Sequence, residues 1–402
     1  MLADPLLWLS LISFAAWGFL ILFRGGFWRA RARLDAMPTH GGPWPAVTAL
    51  VPARNEAEVI GETVARLLSQ DYPGPLRVVV VDDQSDDGTA MAATEAAVAL
   101  DRPQEVAVVL ARPLEPGWAG KVWAMSEGLA YARELFPDTR YFWLTDADIA
   151  HDSVNLRRLV GKAETDALDM VSQMVLLLSE GFWARFLIPA FVFFFQKLYP
   201  FAWVNDPARK TAAAAGGSVL LRRDALERIG GFAAIRDAII DDCALARAVK
   251  KQGREGGGRI WLGLTTAAES LRPYHGLGGI WRMVSRSAFT QLRYSAALLF
   301  FTQAGMMLLY WGPPVVAAAA ALRGDTLPLV LSLLTWGLMA FAFVPTLRLY
   351  HQPLLFAPAV PLAGLLYSLM TLDSAVAYWR GRGGAWKGRT LAGIENNPRK
   401  PG

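Results

Sequence analysis

A small number of acids and one lysine stand where this chain could do chemistry. Asp146 and Asp148 follow the apolar run Tyr141, Phe142, Trp143, Leu144 and Thr145. Two hard oxygen ligands one residue apart suit Mg²⁺ or Mn²⁺ held against phosphate oxygens. The plain alternative is a loop whose acid caps the helix after His151. Asp82 and Asp83 end a β-branched run at 76–81, where a carboxylate could accept from a ribose hydroxyl or a base N–H. A solvated, Asp-capped turn through Asp86 and Asp87 would look the same. Lys121, after Gly120 and between Trp118 and Trp123, stands at a helix start where it could face an anion, or could simply face solvent. Asp241 and Asp242 open another helix after Ile239 and Ile240. First-turn acids suit a helix dipole, and a carboxylate in a cleft could equally take the proton of an attacking hydroxyl. Before them, the small residues of 212–221, with Gly216, Gly217 and Ser218, would let backbone approach a ligand closely.

These residues need a scaffold that gathers them. Short apolar runs at 46–52, 76–81, 105–110, 141–145 and, more faintly, 168–178 alternate with helical stretches, one of them opening at Ala53, Arg54, Asn55 and Glu56 and running to about Gln70. Such alternation is the pattern of an α/β fold with a mostly parallel sheet between helices. Ligands then bind outside the carboxyl ends of the strands, where Asp82, Asp83, Asp146 and Asp148 would emerge. Neither Gly-x-Gly-x-x-Gly nor a Walker loop occurs, so phosphate would rely on metal and lysine instead. No fixed-length repeat is visible, which argues against a solenoid. The glycine-rich stretch 253–258 reads as a flexible loop and is assigned no chemistry.

Composition adds a membrane. The 402 residues are 53% hydrophobic and only 19% charged, too apolar for an ordinary soluble enzyme of two domains. The excess lies at the ends. Residues 6–23 carry no charge and are followed by Arg24, Arg29, Arg31 and Arg33, which predicts an uncleaved anchor with the next segment in the cytoplasm. Residues 296–322, 327–347 and 354–379 are further candidate spans. The expected organisation is an anchor at 1–24, a cytoplasmic catalytic domain at 25–295, transmembrane helices at 296–380 and a basic tail at 381–402. The tail region, with Arg380, Arg382, Lys387, Arg389, Arg399 and Lys400, argues for the inner side, whereas four plain spans would leave it outside. Pro358, Pro361 and Asp373 therefore mark the last segment as re-entrant, interfacial or broken. Residues 181–204 are dense in aromatics and interrupted by Pro189 and Pro200, which suits an interfacial helix or hairpin dipping into the headgroups; a core helix on the sheet is the alternative. Membrane flanks account for the net charge of +5, so no nucleic acid partner is needed. A single cysteine, Cys243, excludes an internal disulfide and fits a reducing compartment.

The order of motifs resembles family 2 glycosyltransferases, inverting enzymes of the Rossmann-like GT-A fold. It rests on Val51-Pro-Ala-Arg-Asn-Glu56, Val81-Asp-Asp-Gln-Ser-Asp-Asp-Gly88, Gly117-Trp-Ala-Gly-Lys121, Thr145-Asp-Ala-Asp148, Gly216-Gly-Ser218 and Asp241-Asp242. Residues 188–206, Ile-Pro-Ala-Phe-Val-Phe-Phe-Phe-Gln-Lys-Leu-Tyr-Pro-Phe-Ala-Trp-Val-Asn-Asp, further resemble the hopene-associated glycosyltransferases of bacteria.

The resemblance implies a nucleotide pocket lined by Pro52, Arg54, Glu56 and Asp83, with Asp82 beside them. It implies Lys121 and Asp146 toward ribose and diphosphate, a metal on Asp148 with Asp146, Asp242 as base beside Asp241, and Gly217 and Ser218 near substrate. The family's Gln-x-x-Arg-Trp is not clearly present; Trp281, Arg282, Arg286, Gln291 and Arg293 are its nearest pieces, and Arg282 and Arg286 are the candidates for the diphosphate. Its loss favours transfer of a single sugar over polymerisation. The reading is a multi-pass enzyme of the bacterial inner membrane, with its catalytic domain on the cytoplasmic side. It would use Mg²⁺ or Mn²⁺ to move a sugar from a nucleotide-sugar, a UDP-sugar first among donors, to a lipid hydroxyl in hopanoid biosynthesis. Two rivals stand beside it: a polyprenyl-phosphate glycosyltransferase, and a non-catalytic lipid-binding scaffold that retains the fold.

Overall fold

Alternating apolar runs and helical stretches fold, in the computed structural model of this chain, into two units. The structure describes residues 4–37, 40–252 and 258–381. The loop expected at 253–258 and the basic tail expected at 381–402 thus fall, apart from Gly258 and Gly381, outside the described residues.

One unit, formed by Ala32–Leu178 and Trp203–Pro273, contains a single eight-stranded sheet. Its strands are β1 (Val47–Ala53), β2 (Leu76–Asp82), β3 (Val106–Leu110), β4 (Tyr141–Thr145), β5 (Ile149–His151), β6 (Met170–Leu176), β7 (Ser218–Arg222) and β8 (Ile260–Ser270). They lie in the order β3-β2-β1-β4-β7-β6-β8-β5. Pairing is parallel from β3 through β4 and between β6 and β8, whereas β7 and β5 run against their neighbours. The fold is therefore α/β with a mixed, mostly parallel sheet, as the spacing of apolar runs predicts. Three strands escape that reading. β7 lies where small residues suggested only close approach, while β5 and β8 carry no turn signal of the expected kind. The helix expected from residue 53 begins only at Ile60, because residues 54–57 are drawn into a loop against 83–89.

Burial explains the order. β1 is buried along its whole length, as a central parallel strand covered on both faces must be. On one face Val51 and Val80 pack with Ile60, Val64 and Leu67 of the helix Ile60–Leu68. Each such side chain contributes about 1.5–3 kcal/mol of transfer free energy. The helix Gly120–Leu135 covers the other face, and Gly128 lets it lie close: a Cβ there would sit 2.6 Å from Val81 Cγ2. That close seat sets the helix start, and with it Lys121, at the carboxyl ends of the strands.

The other unit, Met1–Arg31, Ser179–Ala202 and Tyr274–Gly383, is helical. Five of the described helical segments are long and apolar enough to cross a membrane: Pro5–Phe23, Gly181–Leu198, Ala296–Arg323, Thr326–Leu349 and Leu354–Trp379. The helix Gly181–Leu198 runs unbroken through Pro189, so the interruption expected there does not occur. It cannot cross a bilayer singly, however. Residues 32–178 before it and 203–273 after it share one sheet and so lie on one side of any membrane. In the last segment the prolines fall in the 3₁₀ turn Leu354–Ala359 and the first turn of Val360–Trp379, which leaves that helix intact. Asp373 accepts a hydrogen bond from Trp281 Nε1 at 2.8 Å.

A π-turn, Met307–Trp311, interrupts the segment Ala296–Arg323. Gly312 N–H there bonds back five residues to the Met307 carbonyl, so Pro313 and Pro314 stand where donors to Leu308 and Leu309 would be. Ser13 Oγ and Trp17 Nε1 take their place, donating to the two carbonyls at 2.9 and 2.8 Å. Irregular backbone within an apolar helix bundle requires such replacement.

Candidate active site

At the carboxyl end of β1 the chain turns through Arg54, Asn55 and Glu56, and at the end of β2 through Asp82 to Thr89. The two loops are joined backbone to side chain. Asn55 N–H donates to Ser85 Oγ at 3.0 Å, Glu56 N–H to Thr89 Oγ1 at 2.9 Å, and Ala57 N–H to Asp87 Oδ2 at 3.0 Å. Asp87 is thus a loop staple. Burial opposes its charge slightly, but hydrogen bonds from Thr89 and Ala57 hold its carboxyl below the usual range. Asp82 accepts from Ser85 N–H at 3.0 Å and so shapes its own turn. Asp83 is wholly buried, with Arg54 Nη1 3.9 Å from its carboxylate and donating to its carbonyl. Together Arg54 and Asp83 offer a fixed cation and a buried acceptor at the strand ends, a pairing able to read the edge of a base.

The turn between β4 and β5 carries Asp146 and Asp148. Lys121 Nζ lies 2.5 Å from Asp146 Oδ1 and 3.6 Å from Asp241 Oδ2. Burial opposes the lysine's charge, yet Asp146 and Asp241 overcome it and hold the ammonium well above its ordinary range. Asp242 receives Gly216 N–H at 2.9 Å and Cys243 N–H at 2.6 Å. Its carboxyl is pushed up to about 7, first by burial and then by the charge of Asp241, with Lys121 opposing. Pro52, Lys121, Asp146, Gly216, Asp241 and Asp242 line one pocket.

Asp148 faces a different set of neighbours. Arg272 Nε is 3.7 Å from Asp148 Oδ2, and its Nη2 pairs with Glu56 Oε2. Burial, then the charges of Asp146 and Glu56, push the Asp148 carboxyl up to about 6. No group of three or more His, Cys, Asp or Glu positioned to hold a metal is found among the described residues. The donor set still fits Mg²⁺ or Mn²⁺ of the kind held by one or two carboxylates with phosphate and water completing the shell. Carboxylates near enough to raise one another's proton affinity form a site that a cation would relieve.

Behind the turn lies a buried hydrogen-bond chain. Asn155 Nδ2 donates to His151 Nδ1 at 3.0 Å, which puts the ring proton on Nε2, 2.9 Å from Thr145 Oγ1. Thr145 Oγ1 in turn donates to the Gly217 carbonyl at 3.0 Å. Burial pushes the imidazole down to about 3, so it stays neutral and fixes the turn to the glycines. A Cβ on Gly217 would come within 2.9 Å of Val175 Cγ2, and one on Gly216 within 3.3 Å of Lys121 Nζ and 3.5 Å of Asp242 Oδ2.

The sheet unit thus gathers Pro52, Lys121, Asp146, Gly216, Asp241 and Asp242 at one pocket, and Glu56 with Asp148 around Arg272. Ser218 is different. It is fully buried, accepts from Trp143 Nε1 at 3.2 Å and donates to Gln173 Oε1 at 3.4 Å, which makes it a core residue and removes it from the substrate-facing set. Gly217 acts through its close seat on Val175. Arg282 and Arg286 belong to the helical unit, in and just after the helix Gly276–Ser285. Arg272 and the chain through His151 were not singled out from sequence. The signal available for the arginine was weak: the apolar start of β8, Ile260 to Leu264, marks a strand whose end lies near Arg272.

With this geometry in view, comparison with known proteins is decisive at the level of family. The family described as "Glycosyltransferase like family 2" matches residues 45–256, just over half of the chain. The chain belongs to that family. As a family 2 glycosyltransferase it shares 47% identity over 49 residues with an N-acetylglucosaminyltransferase of Mesorhizobium japonicum, a match covering 12% of each protein. Among solved structures it is similar to the mannosyltransferase PcManGT from Pyrobaculum calidifontis, in complex with GDP-Man and Mn²⁺, at TM-score 0.54 and 22% identity. That match covers 90% of this chain and 99% of the other. A glucosyl-3-phosphoglycerate synthase from M. tuberculosis matches 62% of this chain and 80% of its own at 17% identity and TM-score 0.39. The first of these structures bears out the GT-A-like fold.

Proposed function

We propose that this family 2 glycosyltransferase is a membrane-associated, inverting enzyme that moves one sugar from a nucleotide-sugar to a lipid hydroxyl. The observation that carries the reading is the pocket in which Lys121 and Asp146 face Asp242. Lys121 offers this pocket a cation for phosphate, and Asp242 offers it a carboxylate whose proton affinity is raised to about 7. Arg54 and Asp83 would hold the base and ribose, and Pro52 would wall the pocket. Lys121 would meet the diphosphate. Asp148, with Asp146, would hold Mg²⁺ or Mn²⁺, which when bound supplies charge stabilisation for a leaving diphosphate. Asp242 would take the acceptor's hydroxyl proton as the oxygen attacks the sugar carbon from the face opposite the leaving group, inverting that centre. Asp241, paired with Lys121, would keep the lysine in register.

A lipid acceptor is supported by the apolar helical segments, and a hopanoid acceptor by the resemblance of residues 188–206 to hopene-associated enzymes. A cytoplasmic-side, inner-membrane location is supported by the arginines that follow Pro5–Phe23. The test is transfer of labelled sugar from UDP- and GDP-sugars to extracted membrane lipids, with Mn²⁺ or chelator, in wild type, Asp148→Ala and Asp242→Asn. A labelled lipid formed only with metal and both carboxylates is the expected result. Nucleotide binding without labelled lipid from any donor would transfer the assignment to a binding scaffold.

A further inference from the structure

Outside the pocket, two of the described lysines, Lys250 and Lys197, bond their ammonium groups to protein atoms, and they are treated differently. Lys250 Nζ, in the sheet unit, is ringed by the carbonyls of Val204, Asp206 and Thr211 at 2.5, 3.0 and 2.8 Å, with that of Trp203 at 3.4 Å. Its three donors are satisfied within the fold. Lys197, at the end of the helix Gly181–Leu198, is not served in this way. Its Nζ donates to Tyr310 Oη at 2.9 Å, touches Met306 Sδ at 4.0 Å, and lies over the rings of Tyr310 and Phe194 at 4.5 and 5.3 Å. Among the described residues no carboxylate forms an ion pair with it. One phenol oxygen and a thioether leave at least one strong N–H donor of the ammonium without an acceptor of matching strength.

A second cation stands next to it. Arg24 donates from Nε to the Lys197 carbonyl at 3.1 Å and from Nη2 to the Leu198 carbonyl at 3.3 Å, which brings both positive charges to the same helix end. The place is not arbitrary. Arg24 immediately follows Pro5–Phe23, and Lys197 is the next-to-last residue of Gly181–Leu198. Each cation thus closes an apolar helical segment, and the ends of such segments fall at the polar boundary of a bilayer. That boundary is where phospholipid phosphates are found, and basic side chains placed there attract them. The π-turn fixes the aromatic wall: Tyr310 is fully buried, Trp17 packs edge-on at 5.6 Å, and Gly364 presents bare backbone, a Cβ there coming 3.0 Å from the Tyr310 ring.

We propose that the helical unit holds the phosphate of an anionic lipid on Lys197, beside Arg24. The ligand class is a phosphate carried on a hydrocarbon tail, either the diester of a phospholipid headgroup or the monoester of an isoprenyl phosphate. The site involves neither donor nor base, so its test reads binding alone and can fail independently of the catalytic reading.

Native mass spectrometry of the full chain in neutral detergent, titrated separately with phosphatidylglycerol, phosphatidylcholine and farnesyl phosphate, makes the measurement. Wild type should retain one phosphatidylglycerol or one farnesyl phosphate in preference to phosphatidylcholine, and whichever binds tighter identifies the source. Lys197→Met should weaken that binding on the order of tenfold, the loss expected for one hydrogen bond to a charged group. Lys197→Arg should restore most of it. Arg24→Gln provides a second reading should Lys197→Met fail to fold, and it too should weaken binding. A folded Lys197→Met or Arg24→Gln that retains the anionic lipid like wild type, or equal retention of all three lipids by wild type, would overturn the proposal.

Discussion

Replacing Asp242 with Asn should remove activity and add stability at the same pH. Burial, then the neighbouring charge of Asp241, pushes the Asp242 carboxyl from its ordinary value to about 7. The folded protein therefore binds that proton more tightly than the unfolded chain does. Between about pH 4 and pH 7 the unfolded state carries fewer protons, so stability falls as pH rises, and the whole cost is present above about 7. A shift of about three units at about 1.36 kcal/mol each sets a ceiling of about 4 kcal/mol. Partial exposure and the coupling to Asp241 and Lys121 reduce this to on the order of 2 kcal/mol. Asparagine keeps the shape and can still accept from Gly216 N–H, but carries no charge to desolvate. Thermal unfolding in detergent should show Asp242→Asn melting several degrees above wild type at pH 8 and level with it near pH 4. Turnover should fall roughly 10²- to 10⁴-fold, the usual contribution of a general base. Wild-type kcat/KM should rise with pH and level off above about 7. Wild-type turnover in the variant would refute the assignment of the base and point to an acceptor that is already an anion, as a polyprenyl phosphate is. A variant less stable than wild type at pH 8 would refute the burial argument itself.

Three further outcomes follow from the same geometry. With the Asp148 carboxyl raised to about 6, protons compete with Mn²⁺ below that pH, so calorimetric affinity for Mn²⁺ with a nucleoside diphosphate should drop by about tenfold per unit there; Asp148→Ala should lose both affinity and slope. His151→Phe strands Thr145 and Asn155 and should lower stability by about 1–3 kcal/mol at pH 8; because burial keeps the folded imidazole neutral while the unfolded chain's histidine takes up a proton below about 6.5, that loss should shrink as pH falls from 7 to 5, and a pH-independent difference would show a ring that titrates alike folded and unfolded. Gly216→Ala puts a methyl 3.3 Å from Lys121 Nζ and should lower kcat/KM with little change in Tm, whereas Gly217→Ala meets Val175 at 2.9 Å and should lower Tm; equal behaviour of the two would contradict the placement of the glycines.

The central strands and their acids were legible because two simple signals coincide. A buried apolar run ends in carboxylates, which need polar or cationic partners, and this marks both the strand and the end at which ligands gather. β8 was harder to see, since its run Ile260 to Ser270 pairs with β6 across ninety residues of chain, and only the three-dimensional register turns Arg272 into a neighbour of Glu56 and Asp148. Ser218 was misread for a related reason. A serine beside two glycines looks ligand-facing until the alternation of β7 turns it inward toward Trp143. Asp87 carried the opposite ambiguity, and its hydrogen bonds to Thr89 and Ala57 resolve it as a staple. The helix Gly181–Leu198 is long and apolar enough to span, whereas the sequence reading made the stretch interfacial, and strand pairing on either side of it forbids a lone crossing.

Lys121 links the two halves of the proposed reaction. It pairs with Asp146 on the donor side and reaches Asp241 on the acceptor side, and its charge is what restrains the proton affinity of Asp242. A diphosphate arriving at Lys121 takes up part of that charge. Asp242 then loses part of its stabilising neighbour, its proton affinity rises, and it becomes a stronger base only once the donor is in place. On this proposal the unloaded pocket would keep its base weak and so guard against idle deprotonation of an acceptor that has no sugar to attack. The pH midpoint of kcat, which reports the loaded enzyme, should therefore lie above that of kcat/KM, which reports the free one. If the two midpoints coincide, Lys121 does not couple them, and the lysine acts as a phosphate anchor alone.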